Sequence, residues 1–185
     1  IDQSVIREDS DGKEKSGGAA TLVVYKDKLL LITATHVIDD ALYPDNSITL
    51  RYRDKFVGVP LGDFVSDPAN DLSIAIVRFD INKEDLPTLK LYSDLNIKIE
   101  DQVTGYGYPH FFFAFTSGRV TAVHPDRIVC DSDVYYGFSG GPVIVRVRDE
   151  MVLAGIFNRM SNSYCTGSVA TSHKVVVRLA EKVLN

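Results

Sequence analysis

Short apolar stretches separated by turn residues dominate this sequence and constrain its fold more than any other feature. They are rich in Val, Ile, Leu, Thr and Tyr, and each is too short to be an ordinary buried helix. Their spacing leaves no room for alternating strands and helices, so the pattern predicts an all-β sandwich or barrel. The stretches are 21–25, 29–33, 48–52, 56–61, 72–79, 102–106, 119–123, 127–130, 142–147 and 151–156.

The last segment of the chain predicts a helix. Ser172 is a suitable N-cap, and apolar side chains recur with helical spacing at Val176, Leu179, Ala180 and Val183. The opposite face carries charged side chains, as expected of a helix that packs on the strands with one side only. We expect this helix to support the fold and to take no part in chemistry.

Charge and composition exclude several classes of protein. The chain has 185 residues with 20 Lys plus Arg and 25 Asp plus Glu, and its net charge of -5 gives no overall attraction to nucleic acid or anionic membranes. No stretch approaches the roughly 18 apolar residues of a membrane span. The two cysteines, Cys130 and Cys165, lack the spacing of a metal site, and they could form a disulfide or remain free thiols. We expect no metal and no organic cofactor.

A glycine-rich segment around one serine carries the strongest indication of chemistry. The sequence Gly-Phe-Ser-Gly-Gly-Pro at 137–142 lets the backbone turn tightly and approach a substrate closely. In acyl-transfer enzymes such a turn directs backbone N–H groups at the oxygen on which negative charge develops. The donors here would be the N–H groups of Gly137 and Ser139. Taken alone, the segment could also be a glycine-rich turn with a solvated serine.

Two other segments supply the groups that a reactive serine needs. His36 follows an apolar stretch in Thr-Ala-Thr-His-Val-Ile at 33–38, and Asp71 precedes another in Asn-Asp-Leu-Ser-Ile-Ala at 70–75. A serine hydroxyl is a weak nucleophile near neutral pH until a base removes its proton, and a carboxylate orients that base. We therefore predict Ser139 as the nucleophile, His36 as the general base and Asp71 as the orienting acid.

The order of these residues argues against one other hydrolase class. The Gly-x-Ser-x-Gly pattern at 137–141 also occurs in α/β-hydrolases, where the serine begins a helix and the acid and histidine follow it. In this chain the segment after Ser139 has the composition of a strand, and His36 and Asp71 precede the serine. The all-β pattern of the whole sequence argues the same way.

Together the three segments resemble the chymotrypsin-fold serine proteases, whose triad has the order His, Asp, Ser. The resemblance extends from about residue 16 to residue 183 and is greatest to the protease domains of HtrA/Deg-type and other disulfide-poor trypsin-like peptidases. Further matching segments are Ser-Gly-Gly at 16–18, Gly-Tyr-Gly-Tyr-Pro at 105–109, Thr-Ser-Gly-Arg-Val at 116–120 and Ala-Gly-Ile at 154–156. The resemblance implies serine endopeptidase activity on a protein or peptide substrate.

The same resemblance implies a fold of two six-stranded antiparallel β-barrels with a C-terminal helix and an active site in the cleft between the barrels. The chain then divides into a polar N-terminal arm (1–15), an N-terminal barrel with His36 and Asp71 (16–88), a linker (89–101), a C-terminal barrel with Ser139 (102–171) and the helix (172–185). We expect His110, His124 and His173 to lie on the surface or in loops.

Substrate preference is where the resemblance is least specific. It implies a primary pocket that includes Asp133, Tyr135, Tyr136, Asn158, Arg159 and Gly167. Asp133 would attract basic residues if it corresponds to the pocket acid of trypsins. Alternatively, Asp131 could be the structural acid of HtrA-type sequences, which would leave Asp133 in a loop of unknown direction, and a medium apolar preference is the other possibility. Arg159 could favour acidic substrates. The two tyrosines could line the pocket or simply pack.

Two further expectations concern activation. Digestive trypsins have Asp directly before the serine, and it pairs with a new N-terminal amino group after cleavage. Phe138 stands at that place here, so we expect no such activation through Ile1. The alternative to a working enzyme is a catalytically latent protease-like domain that binds or scaffolds until a partner reorders its loops.

Overall fold

The computed structural model of the chain describes residues 3–8, 14–39, 47–52, 55–78, 89–160 and 167–185. Within these ranges the chain forms fourteen β-strands and two α-helices. The elements of the first half are Gln3–Glu8 (β1), Glu14–Ala19 (β2), Thr21–Tyr25 (β3), Lys28–Thr33 (β4), Thr35–Asp39 (α1), Ser47–Tyr52 (β5), Lys55–Pro60 (β6), Phe64–Asp67 (β7) and Leu72–Ile76 (β8). Those of the second half are Gln102–Gly107 (β9), Ala114–Val123 (β10), Arg127–Cys130 (β11), Pro142–Val147 (β12), Glu150–Met160 (β13), Ser168–Ser172 (β14) and His173–Leu184 (α2).

The second half is a closed six-stranded barrel, as the resemblance implied. Its strand order is β10-β11-β14-β13-β12-β9, and every neighbouring pair is antiparallel. Closure leaves no unpaired sheet edge, and alternate side chains of each strand fill the interior. The buried residues that pack there include Val103, Val120, Ile128, Val143 and Phe157.

The first half has a different arrangement in the described residues. Its strands form two four-stranded sheets, with the orders β2-β1-β5-β6 and β3-β4-β8-β7. The two sheets share one core, in which Leu22 and Leu31 of the second sheet pack with Ile48 and Leu50 of the first. A closed second barrel of six strands is not seen among these ranges, so that part of the expected fold stays a prediction.

Part of the segment 1–15, which we expected to be a polar arm, lies in β-strands. β1 is not an edge strand, because it lies between β2 and β5 and pairs antiparallel with both. β2 already begins at Glu14. Composition suggested solvation, but backbone N–H and C=O groups of a polar segment can be satisfied equally well by neighbouring strands that are distant in sequence.

A third apolar cluster joins the two halves and the C-terminal helix. It combines Leu30 and Ile74 of the first half with Leu153 and Ile156 of the barrel and Val176 of α2. All five are essentially inaccessible to solvent. Removing one such large side chain typically costs about 2–5 kcal/mol, so this cluster makes the halves and the helix one folding unit.

The predicted C-terminal helix is confirmed, including its cap. Ser172 Oγ accepts a hydrogen bond from the backbone N–H of Lys174 at 3.2 Å. Near the other end, Glu181 accepts from Tyr25 Oη and Lys26 Nζ, both at 2.6 Å, which ties the helix to the turn after β3. This bond to a carboxylate stabilises the neutral phenol and, with burial, raises the pKa of Tyr25 to about 12. In the described ranges neither helix is long and apolar enough to cross a membrane.

His173 corrects the expectation of a surface or loop histidine, because it is only 2% exposed. It lies in the first turn of α2 on the same face as Val176 and Ala180, three and seven residues later. Burial, and then the positive charge of Lys174, lower the pKa of His173 below its ordinary value of 6.5. The side chain is therefore neutral in the folded protein near neutral pH.

This burial predicts a loss of stability in mild acid. As the pH falls below about 6.5, the unfolded chain takes up a proton at His173 that the folded chain still excludes, so the free energy of unfolding falls across that window. We expect His173→Gln to flatten the change in urea midpoint between pH 7.5 and pH 5.5. His124→Gln, at an exposed histidine, is the control and should keep the wild-type slope; an equal slope in His173→Gln would contradict the prediction.

Candidate active site

His36 is presented by a short helix that begins directly after a buried strand. β4 ends at Thr33 and α1 starts at Thr35, so His36 lies in the first turn of α1. Two buried contacts fix this junction. Thr33 Oγ1 donates to the backbone oxygen of Ala19 at 3.0 Å, and the Oγ atoms of Thr35 and Ser73 lie 2.9 Å apart. The His36 side chain, 46% exposed, thus extends from a fixed backbone.

Asp71 occupies a strained backbone position directly after a 3₁₀ turn, Pro68–Asn70. Its φ and ψ are both 50°, in the left-handed region that costs a non-glycine residue about 1–2 kcal/mol, although Asp and Asn adopt it more readily than most. Asn70 Nδ2 donates to Asp67 Oδ2 at 2.7 Å and helps to close this turn. The strain persists because the surrounding contacts hold the turn.

Both carboxylate oxygens of Asp71 bind His36. Oδ1 accepts from the backbone N–H of His36 at 3.0 Å, and Oδ2 lies 2.7 Å from the ring nitrogen Nδ1. An ionised carboxylate can only accept, so Nδ1 carries the proton of this bond, and Nε2 is the basic nitrogen of the neutral ring. The structure therefore brings together the two residues that we predicted as acid and general base.

Ser139 lies in a turn that requires glycine at two positions. Gly137 has a φ of 100° and Gly140 a φ of 85°, a region that side chains rarely permit. The N–H of Phe138 donates to the oxygen of Tyr135 at 3.1 Å, closing a four-residue turn with positive φ at its third position, as in type II turns. The glycine-rich sequence thus serves the tight turn that we predicted.

Both halves of the chain hold the Ser139 turn. From the first half, the N–H of Ala19 donates to the oxygen of Ser139 at 2.8 Å, and Thr21 Oγ1 donates to the oxygen of Gly140 at 3.0 Å. From the barrel, the backbone oxygen of Phe157 accepts from the N–H of Gly140 at 2.8 Å. The N–H of Phe157 donates to the backbone oxygen of Gly141 at 2.9 Å. The turn is fixed at the junction of the two halves.

The residue before the serine is anchored by apolar packing. Phe138 is 3% exposed, and its ring packs edge-on against Phe157 with the centroids 6.0 Å apart. Such aromatic contacts contribute about 0.5–1.5 kcal/mol beyond the area they bury. Phe138 thus makes an aromatic contact at the position directly before the serine, where digestive trypsins have the Asp of an ion pair.

Gly18 lies where the His36 helix approaches the Ser139 turn. A Cβ atom at Gly18 would lie 2.8 Å from Cγ2 of Val37 and 2.9 Å from the backbone oxygen of Ser139. Val37 follows His36 directly, so its side chain and the backbone of the Ser139 turn both contact the backbone of β2. The backbone of the Ser139 turn and the helix that carries His36 thus both approach β2 at Gly18.

Two backbone N–H groups in the turn are available to a ligand. Within the described part of the chain, neither Gly137 N nor Ser139 N donates to a protein acceptor. Buried N–H groups are almost always paired, but these two belong to residues that are partly open to solvent. They are the two donors that the sequence predicted for an oxyanion hole.

The residues predicted to form the primary substrate pocket lie in two groups. The exposed group, in the connection between β11 and β12, is Asp133, Tyr135 and Tyr136. The group at the paired strands β13 and β14 is Asn158, Arg159 and Gly167. A buried contact of 2.8 Å between the Oγ atoms of Ser132 and Ser168 joins the two regions. Residues 161–166 lie outside the described ranges, and the pocket itself stays a prediction.

Asp131 has a structural role in this geometry. Its Oδ1 accepts from the N–H of Arg119, and its own N–H donates to the oxygen of Arg119 at 3.0 Å. These bonds fix the end of β11 beside β10. They favour the interpretation in which Asp131 is the structural acid, and they leave Asp133 exposed to solvent.

Cys130 is a buried free thiol. Burial, with the nearby charge of Asp131, raises the pKa of Cys130 to about 12, so the thiol stays protonated and unreactive near neutral pH. Of the two alternatives left open by the sequence, the free thiol is the one observed at Cys130. Cys165 lies outside the described residues.

Two features near the site had no sequence signature. Thr171 Oγ1 donates to the backbone oxygen of Asn70, next to Asp71, at 2.6 Å, but a threonine in a strand is too ordinary to indicate this. Exposed aromatic side chains also surround the connection from β9 to β10. They are Phe112, Phe113 and Phe115, of which Phe112 is 77% exposed. A run of phenylalanines indicated apolar character but not exposure.

The close approach at Gly18 gives a test of the site's architecture. Gly18→Ala forces apart β2, Val37 and the Ser139 backbone, and overpacking of this kind typically costs about 1–3 kcal/mol. We expect urea denaturation to show that loss in the free energy of unfolding. Gly58→Ala in β6, where a Cβ atom meets nothing within 4 Å, is the matched control and should change stability by less than about 1 kcal/mol. Equal stability of the two variants would refute the close contact.

Comparison with known proteins agrees with this geometry. The family profile described as "Trypsin-like peptidase domain" matches residues 20–154, which include His36, Asp71 and Ser139. No curated protein sequence matches the chain.

Solved structures resemble the chain in fold. The serine endoprotease from Yersinia pestis aligns with a TM-score of 0.76 at 20% identity, over 98% of this chain and 61% of that one. The HtrA-type protease AlgW with tripeptide aligns with a TM-score of 0.73 at 20% identity, over 99% and 59%. The chain thus spans about three fifths of the length of these structures. On the family profile and the site geometry, the chain belongs to the trypsin-like peptidase domain family.

Proposed function

We propose that this chain is a serine endopeptidase that cleaves peptide bonds through an acyl-enzyme formed on Ser139. The observation that carries the proposal is the pair of hydrogen bonds between Asp71 and His36. Asp71 Oδ2 lies 2.7 Å from His36 Nδ1, and Asp71 Oδ1 lies 3.0 Å from the backbone nitrogen of His36. This arrangement holds the imidazole in one orientation and one tautomer, which is what a general base for a serine hydroxyl requires.

In the proposed reaction Ser139 Oγ attacks the carbonyl carbon of the scissile peptide bond. His36 Nε2 takes the hydroxyl proton, and Asp71 stabilises the resulting imidazolium. The N–H groups of Gly137 and Ser139 bind the oxyanion of the tetrahedral intermediate. Protonation of the leaving amine by His36 breaks the C–N bond. A water molecule, activated by the same ring, then hydrolyses the ester and frees the serine.

The conformation of the Ser139 turn favours an assembled site over a latent one. A positive φ at Gly137, with its N–H unpaired among the described residues, is what an oxyanion donor needs. The turn is also held by Ala19 of the first half and Phe157 of the barrel. These contacts disfavour a domain that is latent because the Ser139 turn is misarranged.

The finer parts of the expected fold and site belong to this proposal as well. We include a two-barrel architecture with the active site in the cleft between the barrels, and a primary pocket between the connection before the Ser139 turn and the β13–β14 pair. The bonds between Asp131 and Arg119 support a structural role for Asp131, and we include an apolar preference of the pocket in the proposal. Protein or peptide chains are the proposed substrates.

Labelling with a fluorophosphonate probe tests the proposed nucleophile. The Oγ of an activated serine displaces fluoride and forms a stable bond to phosphorus, whereas an ordinary hydroxyl does not react at a useful rate. We expect wild-type protein to be labelled at Ser139, mapped by peptide mass spectrometry, and Ser139→Ala to remain unlabelled. Ser117→Ala, at an exposed serine of β10, is the control and should label like wild type. A folded wild-type protein that does not label would refute the proposal.

Asp71→Asn tests the proposed acid separately. An amide can donate to Nδ1 and so stabilise the wrong tautomer of His36, and such a change in comparable triads lowers turnover by about 10⁴. We expect a loss of that order in kcat for a peptide substrate with little change in the free energy of unfolding. Asp94→Asn, an exposed acid after Tyr92, serves as the matched control. Activity of Asp71→Asn within tenfold of wild type would remove Asp71 from the triad.

A further inference from the structure

We propose that Thr171 of β14 is a positioning residue for Asp71, acting across the junction of the two halves through the backbone of Asn70. This inference rests on the proposed serine peptidase function, because it concerns how the acid of that site is held. Thr171 touches neither substrate nor nucleophile in this scheme. It acts on the residue that orients His36.

The contact itself is short, partly buried and long in range. Thr171 Oγ1 donates to the backbone oxygen of Asn70 at 2.6 Å, and the two residues are 101 positions apart. Thr171 is only 2% exposed. Asn70 ends the 3₁₀ turn from which Asp71 follows, so the carbonyl that Thr171 holds belongs to the peptide unit directly before the acid.

Hydrogen-bond chemistry fixes the orientation of the whole chain of contacts. A carbonyl oxygen can only accept, so the single proton of the Thr171 hydroxyl is used on Asn70. Asn158 must then approach Thr171 Oγ1 as a donor, and its Nδ2 lies 2.9 Å away. Its Oδ1 consequently points elsewhere and is buried without a partner among the described residues. That unpaired oxygen is the consequence of orienting the Thr171 hydroxyl.

The same barrel strand that orients Thr171 also holds the nucleophile. Asn158 follows Phe157 on β13, and Phe157 bonds to Gly140 and Gly141, the two residues directly after Ser139. β13 pairs with β14, where Ile156 faces Thr171. One short piece of barrel therefore sets the position of the Ser139 turn directly and that of Asp71 through Thr171.

The strained position of Asp71 makes this contact consequential. With φ and ψ of 50°, the Asp71 backbone is away from its preferred conformations, and the Asn70 peptide must be held for the strain to persist. If that peptide relaxes, the carboxylate shifts from Nδ1 of His36. Small displacements of groups in a catalytic array lower rates by up to about a hundredfold.

Thr171→Val is the sharpest variant, because it removes the hydroxyl and keeps the size and branching of the side chain. We expect kcat to fall by about ten- to hundredfold with KM little changed. The acid limb of the kcat/KM profile should move to lower pH, because a displaced Asp71 stabilises the imidazolium of His36 less. Thr171→Ser keeps the hydroxyl and should restore both quantities to near the wild-type values.

Thr121→Val is the matched control, since Thr121 Oγ1 also donates to a strand carbonyl, that of Val129, at 3.2 Å but outside the site. It should leave kcat and the pH profile unchanged. Wild-type kinetics in folded Thr171→Val, or equal impairment of Thr171→Ser, would overturn the proposal. If Thr171→Val does not fold, Asn158→Leu is the substitute variant, because it removes the bond from Asn158 Nδ2 to Thr171 Oγ1. We expect a smaller shift of the pH profile in the same direction. An unchanged pH profile in Asn158→Leu would also overturn the proposal.

NMR titration of the His36 ring separates this inference from the proposed function. The ring signal is assigned with His36→Gln, and its pKa is compared in wild type, Thr171→Val and Thr171→Ser. We expect a lower His36 pKa in Thr171→Val alone, whether or not the protein hydrolyses peptides. An inactive wild type with this shift would refute the peptidase proposal only, whereas an unchanged His36 pKa would refute the role of Thr171.

Discussion

The hydrogen bond from Ala19 N–H to the oxygen of Ser139 is the contact on which the proposed site depends. It joins the end of β2 to the glycine-rich turn of the barrel at 2.8 Å. Around it, the close approach of Gly18 to Val37 positions the His36 helix, and the bond from Thr33 to Ala19 fixes the start of that helix. Because these contacts are between backbone atoms or short side chains, a small displacement of β2 would be transmitted to the Ser139 turn and to the start of the His36 helix.

Local sequence was sufficient for some elements and not for others. The apolar stretches located ten strands and the spacing of Val176, Leu179 and Ala180 located α2, because each element carries its own periodicity. The other four strands, β1, β2, β7 and β14, were not located in this way. β1 and β14 contain polar segments that become strands by pairing with β5 and β11, which are distant in sequence. His173 shares the apolar face of α2, and helical spacing alone could have indicated its burial.

The candidate site shows the same division. The tight turn around Ser139 could be predicted from its glycines, since a positive φ restricts the choice of residue at those positions. The pairing of His36 with Asp71 followed from chemistry, because a serine nucleophile requires both groups. The contact of Thr171 with Asn70 could not be predicted from sequence patterns, because it depends on how the two halves of the chain pack against each other. The predicted pocket residues lie in two separate segments of the barrel, and the pocket stays a prediction.

The segment between the halves has a mechanical consequence. Lys90 forms parallel bridges with Val24 of the first half and Val152 of the barrel, and its backbone bonds to Met151 and Leu153 at 2.9 and 2.8 Å. The described part of the connection is thus bonded to both halves at Lys90. Separating the two halves would require breaking these bonds together with the shared apolar cluster. A change in the position of one half would therefore be carried to the other through Lys90 as well as through the apolar cluster.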